Sequence, residues 1–286
     1  MSQPDDAFAI NRAHWNDYAE IHSTNRPEIY DLDRLRAGGD TLTPIEAAEL
    51  GDVAGLSLLH LQCHLGLDCI TFARRGARVT GLDFSPRAIE TARQLAVDTN
   101  LPVTFVEGNV YDTRQLVAGT FDLVFASWGV FCWIPDVGRW IATAASMLNP
   151  GGRLYVIDSH PMMGMLEEET GPTGAPHMVV FQNWRTPIDQ PIEYDAPLSY
   201  SGDPTIVANA ASREWVHPMS DFVMAVRDAG LDLTFLHEHE QIPWQQFPSM
   251  VVDPATGLWQ FGPGRHRVPL AFSLMATARS CNAGRC

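Results

Sequence analysis

Two stretches of the chain place polar side chains directly after short apolar runs that have the pattern of β-strands. Residues 59–68, LHLQCHLGLD, follow the run at 57–61 and lead into a helical stretch at 71–75. About twenty residues on, Asp83 ends a second run at 77–82. Ligands of α/β sheets bind at such strand ends, where a carboxylate can accept both hydroxyl hydrogens of a ribose. Together the two stretches predict a site for a nucleoside-containing ligand.

The first turn argues against a dinucleotide. It is not a G-x-G-x-x-G sequence, because it keeps only Gly66, so a pyrophosphate would lack the close backbone approach that glycines permit. An acidic residue after a strand can also be a simple helix cap. The combination of Asp83 with the first loop favours the ligand-binding interpretation.

The elements that must position these residues alternate along the chain. Strand patterns are predicted at residues 57–61, 77–82, 103–107, 121–126 and 153–157, and further ones at 231–239 and 268–278. Helical patterns fall at 71–75, 87–98, 137–148 and 220–229, the second opened by Ser85 and Pro86 as N-cap and first residue. A turn cluster at 149–152 precedes the fifth strand. This order predicts an α/β, doubly wound, mostly parallel sheet.

The flanking segments differ from this core. Trp15, Tyr18 and His22 share one face of an N-terminal helix, which either packs on the sheet or caps the ligand pocket. Residues 160–216 are rich in proline and short aromatic runs and predict an inserted lid. We therefore expect one domain over 1–286, with a helical cap (1–50), a cofactor-binding core (51–159), the lid (160–216) and a C-terminal completion of the sheet (217–280).

Composition narrows the classes of function. The chain has 286 residues, 45% of them hydrophobic, which suits one large globular core. A formal charge of −15 without any Lys/Arg-rich stripe opposes nucleic-acid binding. No run is apolar enough to span a membrane and no signal peptide is evident, so we expect a cytoplasmic protein without membrane contact. The five cysteines, Cys63, Cys69, Cys132, Cys281 and Cys286, are expected to be free thiols.

The motifs in order resemble the seven-stranded, Rossmann-like class I S-adenosylmethionine-dependent methyltransferases. The resemblance begins in the run LLHLQCHLGLDCITFARRGARVTGLDFSPRAIETAR and extends through nearly the whole chain. Residues 106–112 resemble the third-strand adenine motif of the family, 121–124 its fourth-strand motif and 148–152 the turn before its fifth strand. The family fold implies seven strands with the last one antiparallel, S-adenosyl-L-methionine as cofactor and S-adenosyl-L-homocysteine as product.

The resemblance also implies a role for individual residues. Asp83 would hold the ribose, Phe84 would lie against the adenine ring, and Asn109 would bind its exocyclic amine. A backbone contact from Val110 is expected beside them. Ser127 would lie beside the methionine portion, with Gly66 closing the loop beneath it.

The first loop departs from the family pattern. The usual acidic residue of strand one is His60, and two loop glycines are Gln62 and His64. The string HLQCHLGLD is similar to a subgroup of bacterial methyltransferases, many linked to small-molecule metabolism. Gln62 or His64 would contact the methionine end of the cofactor or pack in the loop. From the cap, Tyr18 and His22 are further candidate cofactor contacts.

An acceptor that must lose a proton can need a general base near the strand ends. His160 directly follows strand five and is the first candidate; His217, where the lid rejoins the core, is the second. His237 and His239 point the same way on a strand, but no third ligand stands at motif spacing, so no metal site is predicted.

Several aromatic residues in or near the expected pocket and lid suit a small organic acceptor: Trp128, Phe131, Trp133, Trp184, Trp215 and Trp244. The predicted function is methyl transfer to a small molecule at oxygen or nitrogen, with carbon as a further alternative. Competing hypotheses are an NAD(P)-dependent oxidoreductase on a related sheet and a non-catalytic protein that keeps the fold. By analogy with related enzymes, the lid is a candidate surface for a homodimer contact.

Overall fold

The computed structural model of the protein describes residues 4–24, 30–172, 174–265 and 267–280. The α-helices of the described residues are α1 (Pro4–His22), α2 (Leu32–Arg36), α3 (Pro44–Leu50), α4 (Leu67–Arg74), α5 (Pro86–Thr99), α6 (Thr113–Leu116), α7 (Val137–Ser146) and α8 (Met219–Asp228). None of these helices is long and apolar enough to cross a membrane.

The strands, in chain order, are β1 (Ser57–Leu61), β2 (Arg78–Asp83), β3 (Thr104–Glu107), β4 (Phe121–Ser127), β5 (Leu148–Ser159), β6 (Leu166–Thr170), β7 (Pro176–Val180), β8 (Ile192–Asp195), β9 (Ala211–Glu214), β10 (Leu231–His239), β11 (Met250–Val252), β12 (Trp259–Phe261) and β13 (Ala271–Ala278). Short 3₁₀ turns lie at Val110–Asp112, Phe131–Trp133 and Met163–Met165.

Seven strands form one sheet in the order β10-β13-β5-β4-β1-β2-β3. The pairs from β5 to β3 are parallel, whereas β13 runs antiparallel to both β5 and β10. This arrangement confirms the predicted Rossmann-like sheet with an antiparallel last strand. The carboxyl ends of β1 to β5 therefore meet at one edge, which is where the predicted site lies.

Alternating side chains of the central strands face two separate cores, because successive residues of a strand point to opposite sides of the sheet. Leu59 of β1 and Val124 of β4 pack with Trp140 of α7 on one side. On the other side, Leu58 and Phe125 pack in the core that includes helices α4 and α5. Strands buried on both faces read as continuous apolar runs, as the sequence shows.

Several element boundaries differ from the prediction. Helix α4 begins at Leu67, four residues earlier than expected, because Gly66 at its N-cap takes a left-handed conformation with φ 74°. The expected turn at 149–152 is part of β5: Leu148 pairs with Phe121 and Arg153 with Leu123, so a bulge absorbs the extra residues. The hairpin of β11 and β12 was not expected.

The predicted lid segment contains two small antiparallel pairs, β6 with β7 and β8 with β9, and no α-helix among its described residues. Helix α1 packs on β9, where the side-chain amide of Asn11 bonds the backbone of Arg213 twice. It donates to the carbonyl and accepts from the N–H, both at 2.8 Å. The cap and the lid are thus joined directly.

Candidate active site

The loop between β1 and α4 has an unusual backbone. Its residues Gln62 and His64 have φ of 57° and 48°, in the left-handed region that favours glycine. Each such non-glycine residue costs about 1–2 kcal/mol. Gly66 in the same loop could not carry a side chain, because a Cβ there would lie 2.7 Å from atoms of the Phe105 ring.

Gln62 and His64 stand where the resemblance implies glycines, and their side chains connect the loop to neighbouring elements. Gln62 Oε1 accepts a hydrogen bond from Nε1 of the fully buried Trp140 at 2.8 Å. His64 Nε2 lies 3.0 Å from Nδ1 of His22 on α1. Burial lowers the pKa of His64 to about 3 and that of His22 to about 2, so both imidazoles are neutral at ordinary pH.

Asp83 lies at the end of β2, as expected, and is 5% exposed. Its Oδ2 accepts the backbone N–H of His64 at 2.8 Å, and its Oδ1 accepts that of Ser85 at 2.9 Å. Burial raises the pKa of Asp83 to about 6, against the lowering effect of these hydrogen bonds. The carboxylate therefore fixes the first loop to the start of α5.

A cleft opens at the carboxyl ends of these strands. Its lining residues are Phe8, Gln62, Phe84, Gly108, Asn109, Val110, Trp133 and Ile134. Four of the predicted cofactor residues, Gln62, Phe84, Asn109 and Val110, are thus brought together on one cleft. The Oδ1 atom of Asn109 accepts the N–H of Tyr111 at 3.0 Å, which leaves its second lone pair for a ligand.

The N-terminal helix covers this cleft. Phe8 lines it, and the Trp15 ring lies 5.1 Å from that of His64 and 5.2 Å from that of Trp133. Tyr18 faces the lid instead, with its hydroxyl donating to the carbonyl of Leu198 at 3.3 Å.

His22 joins both parts of the molecule. It contacts the loop through His64, and its Nε2 lies 2.8 Å from Oγ of Ser199 in the lid. His22 and Tyr18 are therefore not lining residues of the cleft, although the first of them holds its loop.

Ser127 at the end of β4 donates to Asp68 Oδ2 at 3.0 Å, close to the start of α4. Nearby, Nε1 of Trp128 donates to Oε1 of Glu46 at 2.9 Å. Glu46 is 1% exposed, and burial, reinforced by the charge of Asp68, raises its pKa to about 8. The predicted methionine end of the site thus carries two carboxyl groups.

Asp158 near the end of β5 holds the loop that follows β4. Its carboxylate accepts the backbone N–H groups of Gly129, Val130 and Phe131 at 2.6–2.9 Å. That loop carries Trp133 into the cleft. Asp158 is therefore a positioning residue.

The two predicted base candidates lie outside the lining of the cleft. His160 Nδ1 accepts the N–H of Met162 at 3.1 Å, and its Nε2 lies 3.0 Å from Oε1 of Glu238. His217 donates through Nε2 to the carbonyl of Ile134 at 2.6 Å. Burial lowers the pKa of both imidazoles, in the case of His160 against the attraction of Glu238.

Other polar groups singled out in the sequence have structural partners. His60 is buried, with Nδ1 3.4 Å from Sγ of Cys69. His237 Nδ1 lies 2.7 Å from Oε1 of Glu49. Over the described ranges, no group of three or more His, Cys, Asp or Glu side chains is arranged to hold a metal ion.

Of the five cysteines, Cys63, Cys69 and Cys132 are free thiols, as expected. Cys281 and Cys286 lie outside the described residues.

Sequence reasoning missed Phe8 and Asp158, whereas Trp133 was expected in or near the pocket and lines the cleft. A signal existed for the first: Phe8 precedes Trp15 by seven residues, as Trp15 precedes His22, so all three share a helix face. Asp158 gave no such signal, because it meets the loop after β4 only through the pairing of β4 with β5.

Comparison with known proteins agrees with this geometry. Residues 59–156 match the model of a family described as methyltransferase domain. A ubiquinone biosynthesis O-methyltransferase of Vibrio parahaemolyticus is 31% identical over 101 residues, which are 35% of this chain and 43% of the relative. The enzyme of the same name from Nitrobacter winogradskyi is 36% identical over 145 residues, 51% of this chain and 54% of the relative. The chain spans about half the length of the curated relatives it matches.

Among solved structures, an S-adenosylmethionine-dependent methyltransferase from Mesorhizobium loti superposes with a TM-score of 0.55 at 18% identity. The match covers 82% of this chain and 96% of that one. The fold is therefore that of the class I, Rossmann-like methyltransferases. Within it, residues 59–156 are the part that matches the family described as methyltransferase domain.

Proposed function

We propose that this protein is an S-adenosylmethionine-dependent methyltransferase that methylates a small molecule. The observation that carries the proposal is the cleft at the strand ends, where Gln62, Phe84, Asn109 and Val110 converge within the methyltransferase domain. The proposed accepting atom is an oxygen or a nitrogen, with carbon as a further alternative. The names of the relatives, ubiquinone biosynthesis O-methyltransferases, favour oxygen.

The residues present fit this cofactor. The Phe84 ring offers a face for adenine, and the free lone pair of Asn109 Oδ1 suits its exocyclic amine. Asp83 would hold the ribose through the lone pairs that its two backbone hydrogen bonds leave, although its side chain is buried and does not line the cleft. The backbone of Val110 completes the adenine contacts. Gly66 and Ser127 would lie under and beside the methionine portion.

The cofactor would supply a methyl group bonded to a sulfonium sulfur, which leaves readily as a neutral thioether. The protein therefore has mainly to orient the acceptor. Positioning of this kind can contribute about 7–11 kcal/mol in favourable cases. Phe8 and Trp133 line the cleft, with the Trp15 ring 5.2 Å from that of Trp133, and these apolar groups would shield a bound acceptor from water. As a base for the acceptor proton, His160 remains the first candidate, because it follows β5 at the same edge of the sheet, with His217 second.

The charge of −15 supports a small, non-polyanionic acceptor and opposes nucleic acid as a substrate. We place the enzyme in the cytoplasm. The exposed apolar side chains of the lid, among them Val180, Trp184 and Ile206, favour a homodimer contact there.

Calorimetric titration of the purified chain with S-adenosylmethionine and S-adenosylhomocysteine tests the proposal. We expect both to bind, and Phe84→Ala to weaken both at least tenfold because the adenine loses its stacking face. Phe181→Ala is the matched control, since this residue is 49% exposed in the lid, and it should leave affinity unchanged. Absence of heat with both ligands at high micromolar concentration would overturn the proposal. Binding of NAD instead would favour the oxidoreductase hypothesis.

A further inference from the structure

A half-buried carboxylate, Glu214, stands beside the cleft and is not explained by cofactor binding. It is the last residue of the lid strand β9. The next residue, Trp215, donates its backbone N–H to the carbonyl of Cys132 at 2.8 Å. Cys132 directly precedes Trp133, which lines the cleft. Glu214 is therefore tied to the loop after β4, on the lid side of the candidate active site.

The carboxylate of Glu214 lacks a cationic partner within the described part of the chain. No ion pair there includes it, and its hydrogen bond from Ser212 is long, at 3.5 Å. Arg213, the preceding residue of β9, is not a cationic partner of Glu214, because successive residues of a strand point to opposite faces of the sheet. Arg213 instead bonds Asn11 through its backbone and pairs with Glu193 at 3.2 Å. A largely desolvated carboxylate without a counter-ion is costly, which makes it a candidate ligand group.

Two tyrosines and a thiol, from three elements, form the surroundings of Glu214: Tyr18 on α1, Cys132 after β4 and Tyr194 on β8. On the neighbouring strand, Tyr194 pairs with Ser212, two residues before Glu214, so Tyr194 and Glu214 lie on the same face of the β8–β9 pair. Burial, reinforced by the charge of Glu214, raises the pKa of Tyr18, Cys132 and Tyr194. Burial raises the pKa of Glu214 itself to about 7. Aromatic faces around a carboxylate suit an organic cation, since the rings and the carboxylate both attract positive charge.

We propose that Glu214 binds a positively charged amine on the methyl acceptor, so that the acceptor class is a small aromatic or apolar amine. This inference rests on the proposed function, because it assigns the acceptor side of the same site. The amine supplies the missing counter-ion and holds Glu214 ionised. An anionic acceptor of the same shape is repelled.

The test uses the full chain loaded with S-adenosylhomocysteine and three probes that share a phenol ring. Tyramine ends in an ammonium group, 4-ethylphenol is neutral and 4-hydroxyphenylacetate is anionic. We expect tyramine to bind at least tenfold more tightly than the other two, as measured by calorimetry. In the nearly isosteric variant Glu214→Gln, the affinity for tyramine should fall to that for 4-ethylphenol. Glu214→Asp keeps the charge and should retain part of the preference.

The matched control is Glu193→Gln, a strand carboxylate that is 68% exposed and paired with Arg213. It should keep the full preference for tyramine. An equal affinity for the three probes, including no binding of any, overturns the proposal, as does a preference that persists in Glu214→Gln. Unchanged affinity of Glu214→Gln for S-adenosylhomocysteine shows that the variant is folded. If the native chain fails to bind S-adenosylhomocysteine, the proposed function fails, and the tyramine titration without it still tests Glu214.

Discussion

Gln62 and His64 occupy left-handed backbone positions in which glycine is the least costly residue, and each uses its side chain to hold the loop. Gln62 supplies the acceptor for the buried indole N–H of Trp140, and His64 meets His22. An unsatisfied buried N–H costs about 1–3 kcal/mol, which is comparable with the backbone strain. The loop therefore depends on side-chain contacts that glycine at position 62 or 64 could not make.

This balance predicts that glycine destabilises the protein less than alanine at position 62, which is the reverse of their order within a helix. Gln62→Gly and Gln62→Ala both lose the contact with Trp140, but only alanine keeps the left-handed strain. We expect the glycine variant to be more stable to urea unfolding by about 1 kcal/mol. At Gln94, an exposed site within α5, alanine should be the more stable by about 1 kcal/mol. An alanine variant at 62 equal to or more stable than the glycine variant contradicts the strain.

The position of this loop could be predicted from the sequence, but the contacts of its side chains could not. Gly66 and the strand-turn-helix pattern are local signals, and the structure confirms them. The partners of Gln62 and His64 are Trp140 and His22, which are 78 and 42 residues away in the chain. Such pairs form only when the sheet and the cap are in place, so no local pattern carries them.

At the scale of single elements, helix α3 combines a cap with a buried acid. Glu46 accepts the backbone N–H of the N-cap residue Thr43 at 2.7 Å, as the third residue of a capping box does, and also the indole N–H of Trp128. A short helix outside the sheet is thereby fixed to the residue that follows β4. The sequence analysis did not identify α3.

Glu46 predicts a specific dependence of stability on pH. Its pKa is about 8 in the folded chain and 4.5 as an ordinary side chain, so the folded state holds this proton more tightly. The stability that it contributes is full below pH 4.5 and is lost as pH rises through 8, at up to about 1.4 kcal/mol per pH unit. The stability of Glu46→Gln relative to the native chain should therefore increase from pH 5 to pH 8.

Urea unfolding at several pH values measures this difference. Glu90→Gln on the exposed side of α5 serves as the control and should show a constant difference. A constant difference for Glu46→Gln as well would mean that its carboxyl group ionises normally in the folded protein.

For the molecule as a whole, all seven strands of the main sheet were predictable and the small strands were not. The central strands are continuous apolar runs buried on both faces, which is a strong signal. Strands β11 and β12 have only three residues each, too few for a period to show. The extent of β5 was also missed, because its bulge contains the residues of a typical turn.

The hydrogen bonds between the cap and the lid should affect ligand affinity in the cleft, although Asn11 and Arg213 do not line it. Asn11→Ala removes both hydrogen bonds to Arg213, so we expect faster amide exchange along α1 and at least a threefold loss of S-adenosylhomocysteine affinity. Arg12→Ala, on the exposed side of the same helix, is the control and should change neither. Unchanged exchange in Asn11→Ala would show that α1 is held by its apolar face alone.

One side of α1 lies over the cleft through Phe8 and Trp15, and another holds the lid through Asn11 and Tyr18. Because one helix contacts both regions, any displacement of α1 would change the cleft and the lid together. Under the proposed function, we therefore expect a ligand in the cleft and a ligand beside Glu214 to influence each other's affinity.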